Sequence, residues 1–248
     1  ACRATVEDDL VVEVPLESQR GELQILMGRA EPAEAVGEAD TLLATRVPLA
    51  LVSPEEETEA SDDERLLAGV REAAGRGFSE IGIDLSALRE LPEVARGNEW
   101  KLDALVGDFD GRGRVFGVEQ SRDGATYGLA VDIGTTTVVV HLIDLSTQGF
   151  VEACASLNDQ IAHGEDVISR IVHAQEEDGG LAELRRAVRT TINRCAREVM
   201  ELHGVRRDEI VGAACVGNTV MTHMLLGIDP AAIRREPYVP ALRTVPTL

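Results

Sequence analysis

The chain has 248 residues, an ordinary apolar content, only 3% aromatic residues and a formal net charge of −20. That length suits one large or two modest domains, with cores built mainly of Val, Leu, Ile and Ala. The acidity excludes a nucleic-acid surface and an anionic membrane as partners, and no apolar run approaches the ~20 residues of a membrane span.

Ala1-Cys2-Arg3 shows neither an initiator Met nor a secretory signal, so the chain is expected to start inside a longer polypeptide. Its four cysteines, Cys2, Cys154, Cys195 and Cys215, form no C-x-x-C pair. That spacing gives no disulfide framework or zinc knuckle, and a reducing cytoplasm is the simplest location. Cys154, Cys195 and Cys215 read as small core residues.

Residues 5–14 (T-V-E-D-D-L-V-V-E-V) predict a strand ending at Pro15, and the Glu-, Ala- and Gly-rich stretch 18–45 a linker. Ser61 and Glu64 predict a capping box opening a helix with Leu66, Leu67 and Val70 inward. A short strand at Ile81-Gly82-Ile83 precedes a brief helix with Leu85, Leu88 and Leu91 on one face. The runs K-L-D-A-L-V-G and R-V-F-G-V-E-Q flank D-F-D-G-R-G, a hairpin signal. Residues 46–124 thus predict a small α+β domain with no obvious chemistry.

From residue 125 the pattern changes. Strands at 127–133, 137–145 and about 149–155 predict an antiparallel meander. A helix over about 164–176 is expected to bury Val167, Ile168, Ile171 and Val172. Another over about 180–203 carries Leu181, Leu184, Val188, Ile192, Cys195, Val199 and Leu202 on one stripe, with Gly204 as its C-cap. The strand I-V-G-A-A-C-V then runs into G-N-T and a helix holding Met221 and Met224, read as core residues. The order β-β-β-α-α-β-α is half of a larger α/β architecture.

The chemistry concentrates at Y-G-L-A-V-D-I-G-T-T-T. Asp132 ends an apolar strand, where a carboxylate is costly unless a metal, hydrogen bonds or solvent compensates it. Gly134 permits a tight turn. Thr135, Thr136 and Thr137 bring hydroxyls and amides to one small volume, which suits phosphate oxygens, with Asp132 holding Mg²⁺ through water. The alternative is a plain hairpin with a solvated aspartate. A P-loop is excluded because the only lysine, Lys101, lies in the predicted hairpin.

These residues resemble the first phosphate loop of the superfamily of acetate and sugar kinases, heat-shock chaperone ATPases and actin. Together with S-L-N-D-Q-I-A-H-G-E-D-V-I-S-R-I and V-G-N-T-V-M-T-H-M-L-L-G-I, they are similar to the reductive activators of corrinoid-dependent methyltransferases. The resemblance implies a ribonuclease H-like first lobe of an actin-like ATPase over 125–248, incomplete without its second lobe, after an α+β middle domain over 46–124. It implies ATP and Mg²⁺ as cofactors and a corrinoid protein as partner, with a homodimer left open. It also implies an activity in which a [2Fe–2S] cluster returns Co(II) to Co(I). Residues 1–17 would be the tail of a ferredoxin-like domain and Cys2 an orphaned cluster ligand, since a cluster needs four. The fragment alone is expected to be inactive.

Asp132 would bind Mg²⁺, and Gly134, Thr135, Thr136, Thr137, Gly217, Asn218 and Thr219 would line the nucleotide site. Asn158, Gln160, Asp166, Ser169 and Arg170 read either as cleft-lining residues or as a helix entrance with Arg170 paired to Asp166. Thr219 reads equally as an N-cap. His163, His173 and His223 have no metal-ligand spacing and are taken as ordinary. Two other functions stay open: a small-molecule kinase of the same superfamily, and a non-catalytic scaffold that binds the corrinoid protein.

Overall fold

A computed structural model of the chain describes residues 44–56, 59–73, 80–109, 112–122 and 124–243. The strand expected over 5–14, the linker up to residue 43 and Cys2 lie outside them. No helix among the described residues is long and apolar enough to cross a membrane.

The first sheet contains β1 (Thr45–Ala50), β2 (Glu80–Ile83), β3 (Lys101–Phe109) and β4 (Arg112–Gln120) in the order β1-β3-β4-β2. β3 pairs antiparallel with β1 and β4, and β2 runs parallel to β4. No strand pattern in the sequence announces β1. It carries Pro48, which has no N–H to donate, and it sits at the sheet edge, where proline is tolerated. Two helices complete this unit, α1 (Asp62–Ala73) and α2 (Leu85–Gly97). At the α1 entrance the backbone N–H and hydroxyl of Ser61 both donate to Glu64 Oε2, each at 2.8 Å. Leu66 and Val70 of α1 are buried with Leu102, Ala104, Val106 and Val115 of the sheet, while Leu67 is half-buried.

Helix α2 corrects the expected inner face. Ala87, Leu91 and Ala95 are buried, whereas Leu85 is 60% and Leu88 40% exposed. Residues three apart drift round a 3.6-residue helix, so Leu85 and Leu91 stand about 120° apart, while spacing of four holds one face. The helix is also longer than expected and runs through Pro92. Leu91→Ala should therefore cost about 2–5 kcal/mol in urea unfolding. Leu85→Ala should stay within about 0.5 kcal/mol of the unaltered protein.

The second sheet orders β7 (Gly149–Leu157), β6 (Thr137–Asp144), β5 (Tyr127–Ile133) and β8 (Ile210–Gly217). β5, β6 and β7 form the expected antiparallel meander, and β8 lies parallel to β5. A 3₁₀ turn (Asp159–His163), α3 (Val167–Glu176) and α4 (Gly180–His203) make the crossover, and α5 (Thr219–Leu226) and α6 (Ala231–Arg234) follow β8. This α/β lobe has the β-β-β-α-α-β-α order expected from the sequence, and a small α+β unit precedes it. Its core joins Val131, Ile133, Val138, Val140 and Leu142 of the sheet to Ile171, Leu184, Val188, Cys195 and Val199 of the helices, with Met221 and Met224 of α5.

Helical period again sets angles better than burial. On α3, Ile168 is exposed and Arg170 is fully buried. On α4, Thr191 and Ala196 join the buried stripe, Leu181 and Ile192 are half-buried, and Leu202 is exposed. A period fixes the angle of a side chain, but not how far along the axis its neighbours reach. Cys154 and Cys195 are buried as expected, whereas Cys215 is exposed on β8. Gly204 ends α4 in the left-handed region at φ 65°, as its C-cap role requires.

Candidate functional site

The parallel pairing of β5 with β8 sets Ile133 opposite Gly217, so both strands end together. The Gly134–Thr137 turn and the Gly217–Thr219 segment therefore lie side by side at one end of the sheet. That placement needed the α3–α4 crossover, which returns the chain next to β5 in the same direction.

In the turn, Gly134 N–H donates to Thr137 O at 2.9 Å. A Cβ at residue 134 would stand 2.6 Å from that same oxygen, so only glycine fits. The other carbonyls are held from behind. Gly134 O accepts from Asn158 Nδ2 (2.9 Å), Thr135 O from Arg170 Nη2 (2.7 Å) and Thr136 O from the Asn158 N–H (2.8 Å). The N–H groups of Thr135 and Thr136 make no hydrogen bond among the described residues. A turn with its carbonyls anchored inward and two amides free can receive an anion.

Asp132, next to last on β5, lies on the face opposite buried Val131 and Ile133, and it is exposed. Solvent thus meets the desolvation cost expected of a carboxylate in a central strand. On the β8 side, Asn218 is the N-cap of α5, not Thr219. Its Oδ1 accepts from the N–H groups of Val220 and Met221, both at 3.0 Å. Its Nδ2 reaches Thr135 Oγ1 at 3.4 Å and so links the two segments. Gly217 permits their approach, because a Cβ there would lie 3.1 Å from Ile133 O. Thr219 is exposed, and its carbonyl accepts from His223 Nδ1 at 2.6 Å.

Behind the turn lies a buried polar block that includes Asn158, Gln160 and Arg170, each fully buried. Arg170 donates through Nε to Gly164 O (2.9 Å), through Nη1 to Gln160 Oε1 (3.1 Å) and through Nη2 to Thr135 O. Gln160 Nε2 donates to Leu184 O at 3.0 Å, tying the block to α4. The expected Arg170–Asp166 pair is not formed. Asp166 instead caps α3, accepting from Ser169 N–H (2.8 Å) while Ser169 Oγ accepts from Asp166 N–H (3.2 Å). That Ser169 amide holds the Asp166 carboxyl below its ordinary range. Burial pushes the Arg170 guanidinium down, against the opposing effect of the Asp166 charge. Asn158 and Gln160 therefore buttress the turn from inside and line no cleft. One sequence signal pointed this way: Arg170 sits in phase with Val167, Ile171 and Ala174, on the apolar stripe of α3.

Residues 40–124 match the family description "RACo linker region", and residues 127–248 match "RACo middle region". The chain belongs to the RACo family. A corrinoid activation enzyme, RamQ of Eubacterium limosum, is 34% identical to this RACo chain over 113 residues, which are 46% of the chain and 19% of RamQ. The solved structure of a reductive activator for corrinoid, iron–sulfur protein superposes with a TM-score of 0.70 at 38% identity, covering 80% of this chain and 31% of that one. This RACo chain thus spans under a third of the length of either relative.

The residues at the strand ends fit the phosphate part of a magnesium nucleotide. They offer a glycine turn that a Cβ would fill, two free amides, an exposed carboxylate and a capped helix start. The described cysteines do not fit an iron–sulfur cluster. Cys154 and Cys195 are buried and their thiols are pushed up by burial, opposite to the thiolate a cluster needs.

Proposed function

We propose that the protein carrying this RACo chain reactivates a corrinoid protein of a methyltransferase system. One electron from a [2Fe–2S] cluster held elsewhere in that protein converts Co(II) to Co(I), and Mg-ATP binding at the strand-end cradle drives the step. The observation that carries the nucleotide reading is the Gly134–Thr137 turn, with its carbonyls tied inward and the Thr135 and Thr136 amides free of partners among the described residues. Support for the corrinoid partner comes from the relatives, whose names state corrinoid activation.

In this reading the Thr135 and Thr136 amides and the threonine hydroxyls hold phosphate oxygens. Asp132 orients Mg²⁺ through water, and Asn218 keeps the α5 start aligned with the turn. Arg170 touches the backbone of the turn and positions it without touching the nucleotide. ATP favours one arrangement of the full-length protein, and the corrinoid partner responds to that population shift. The work takes place in the cytoplasm.

Calorimetry of the full-length protein with Mg-ATP tests the cradle. Asp132→Asn should weaken Mg-ATP about 10- to 100-fold, the worth of a lost charged hydrogen bond, and leave the unfolding midpoint unchanged because the side chain is exposed. Affinity that ignores Asp132→Asn would sink the nucleotide site. The Co(I) absorption spectrum of the corrinoid partner, followed with and without ATP, then tests the activity itself.

A further inference from the structure

We propose that His163, His173 and Glu183 form a binding site for one divalent transition-metal ion of the zinc class. The three residues come from three elements: the last position of the 3₁₀ turn, α3, and the first turn of α4. Each lies ten positions after the one before, so no motif spacing announces them.

Their ligand atoms all lie within 4.8 Å of one another. His173 Nε2 stands 2.8 Å and His163 Nδ1 3.8 Å from the same Glu183 Oε2. The two imidazole rings are 4.7 Å apart between centroids and tilted by 42°. A tetrahedral ion with bonds of 2.0–2.1 Å sets neighbouring ligand atoms about 3.3–3.4 Å apart. The two contacts to Glu183 bracket that distance, and small side-chain rotations close the set around an ion. Two imidazoles and one carboxylate suit zinc and its neighbours, and no thiolate is needed. All three side chains are partly exposed, which leaves an entry path and a fourth position for water. Among the described residues, Glu183 forms ion pairs only with these two imidazoles.

The backbone is built for this convergence. A Cβ at Gly180 would lie 2.2 Å from His173 O and 3.2 Å from His173 Cδ2, so the glycine lets the α4 start close on α3. An ion here would also staple the buttress of the turn. His163 lies three residues after Gln160, His173 three after Arg170, and Glu183 precedes Leu184, whose carbonyl accepts from Gln160. The site itself stands independently of any nucleotide.

The test is a titration of full-length protein, stripped with EDTA and desalted, with ZnCl₂ and with Co²⁺ as a visible-absorption reporter. The unaltered protein should bind one more equivalent than His173→Ala or Glu183→Gln. Affinity at this site should fall at least about 100-fold in either variant, beyond the 10- to 100-fold that losing an outer-shell partner costs. Glu183→Gln keeps the side-chain shape, so a folding failure in His173→Ala leaves the test intact. His203→Ala, which removes an exposed partner of Glu152, should change neither number. An equal count and affinity in the unaltered protein and Glu183→Gln overturns the proposal, as does a count in the unaltered protein that no histidine variant lowers.

Discussion

Arg170→Met is expected to destabilise the protein by about 3 kcal/mol or more in urea unfolding and to abolish Mg-ATP binding in the same variant. The substitution removes the donor to Gly164 O and Thr135 O, both part-buried, and leaves buried Gln160 Oε1 with only Asn158 Nδ2, at 3.3 Å. Each orphaned buried acceptor costs about 1–3 kcal/mol. Relief from burying a guanidinium with no carboxylate partner offsets part of the sum. Against a total stability of about 5–15 kcal/mol, the net loss is large. Arg170→Lys should not rescue the protein, because an ammonium presents its donors from one atom and cannot span three separated acceptors. A lysine or methionine variant as stable as the unaltered protein, with unchanged nucleotide affinity, would show that Arg170 does not hold the turn.

The second large effect is expected at Gly134. Alanine there would place its Cβ 2.6 Å from Thr137 O, and the clash is with backbone, so no side-chain rotation relieves it. The turn must open, at an overpacking cost of about 1–3 kcal/mol. Opening breaks the Gly134 N–H to Thr137 O bond and moves the Thr135 and Thr136 amides. Mg-ATP affinity should fall by more than about tenfold, in line with that cost. Gly82→Ala is the matched control, since a Cβ on β2 meets nothing within 4 Å. Full Mg-ATP affinity in Gly134→Ala would remove the turn from the site.

Much of the second sheet was legible because its signals are local. Two β-branched runs about a glycine–threonine turn define β5 and β6 wherever they occur, and α4 was bounded at both ends by glycine. The first unit was less legible. β1 was hidden by Pro48 and by its edge position, and the α2 face was misjudged from a three-residue leucine spacing. Polar residues were the hardest to place. Asn158 and Gln160 read either as cleft residues or as part of a helix entrance, yet they are buried because partners distant in sequence satisfy them: Gly134 O for one, Leu184 O and Arg170 for the other.

The local elements of the lobe and the glycine–threonine turn at its edge follow from patterns a few residues long, and so are written in the order of residues alone. What stands around that turn comes from long-range packing. The parallel return of β8 brings Asn218 to Thr135, and burial of α3 turns Arg170 inward onto the Thr135 carbonyl. The close α3–α4 approach permitted by Gly180 gathers two histidines and a glutamate into one cluster. Residues ten or more positions apart meet only when packed elements place them together, and no period or motif in the chain encodes that distance.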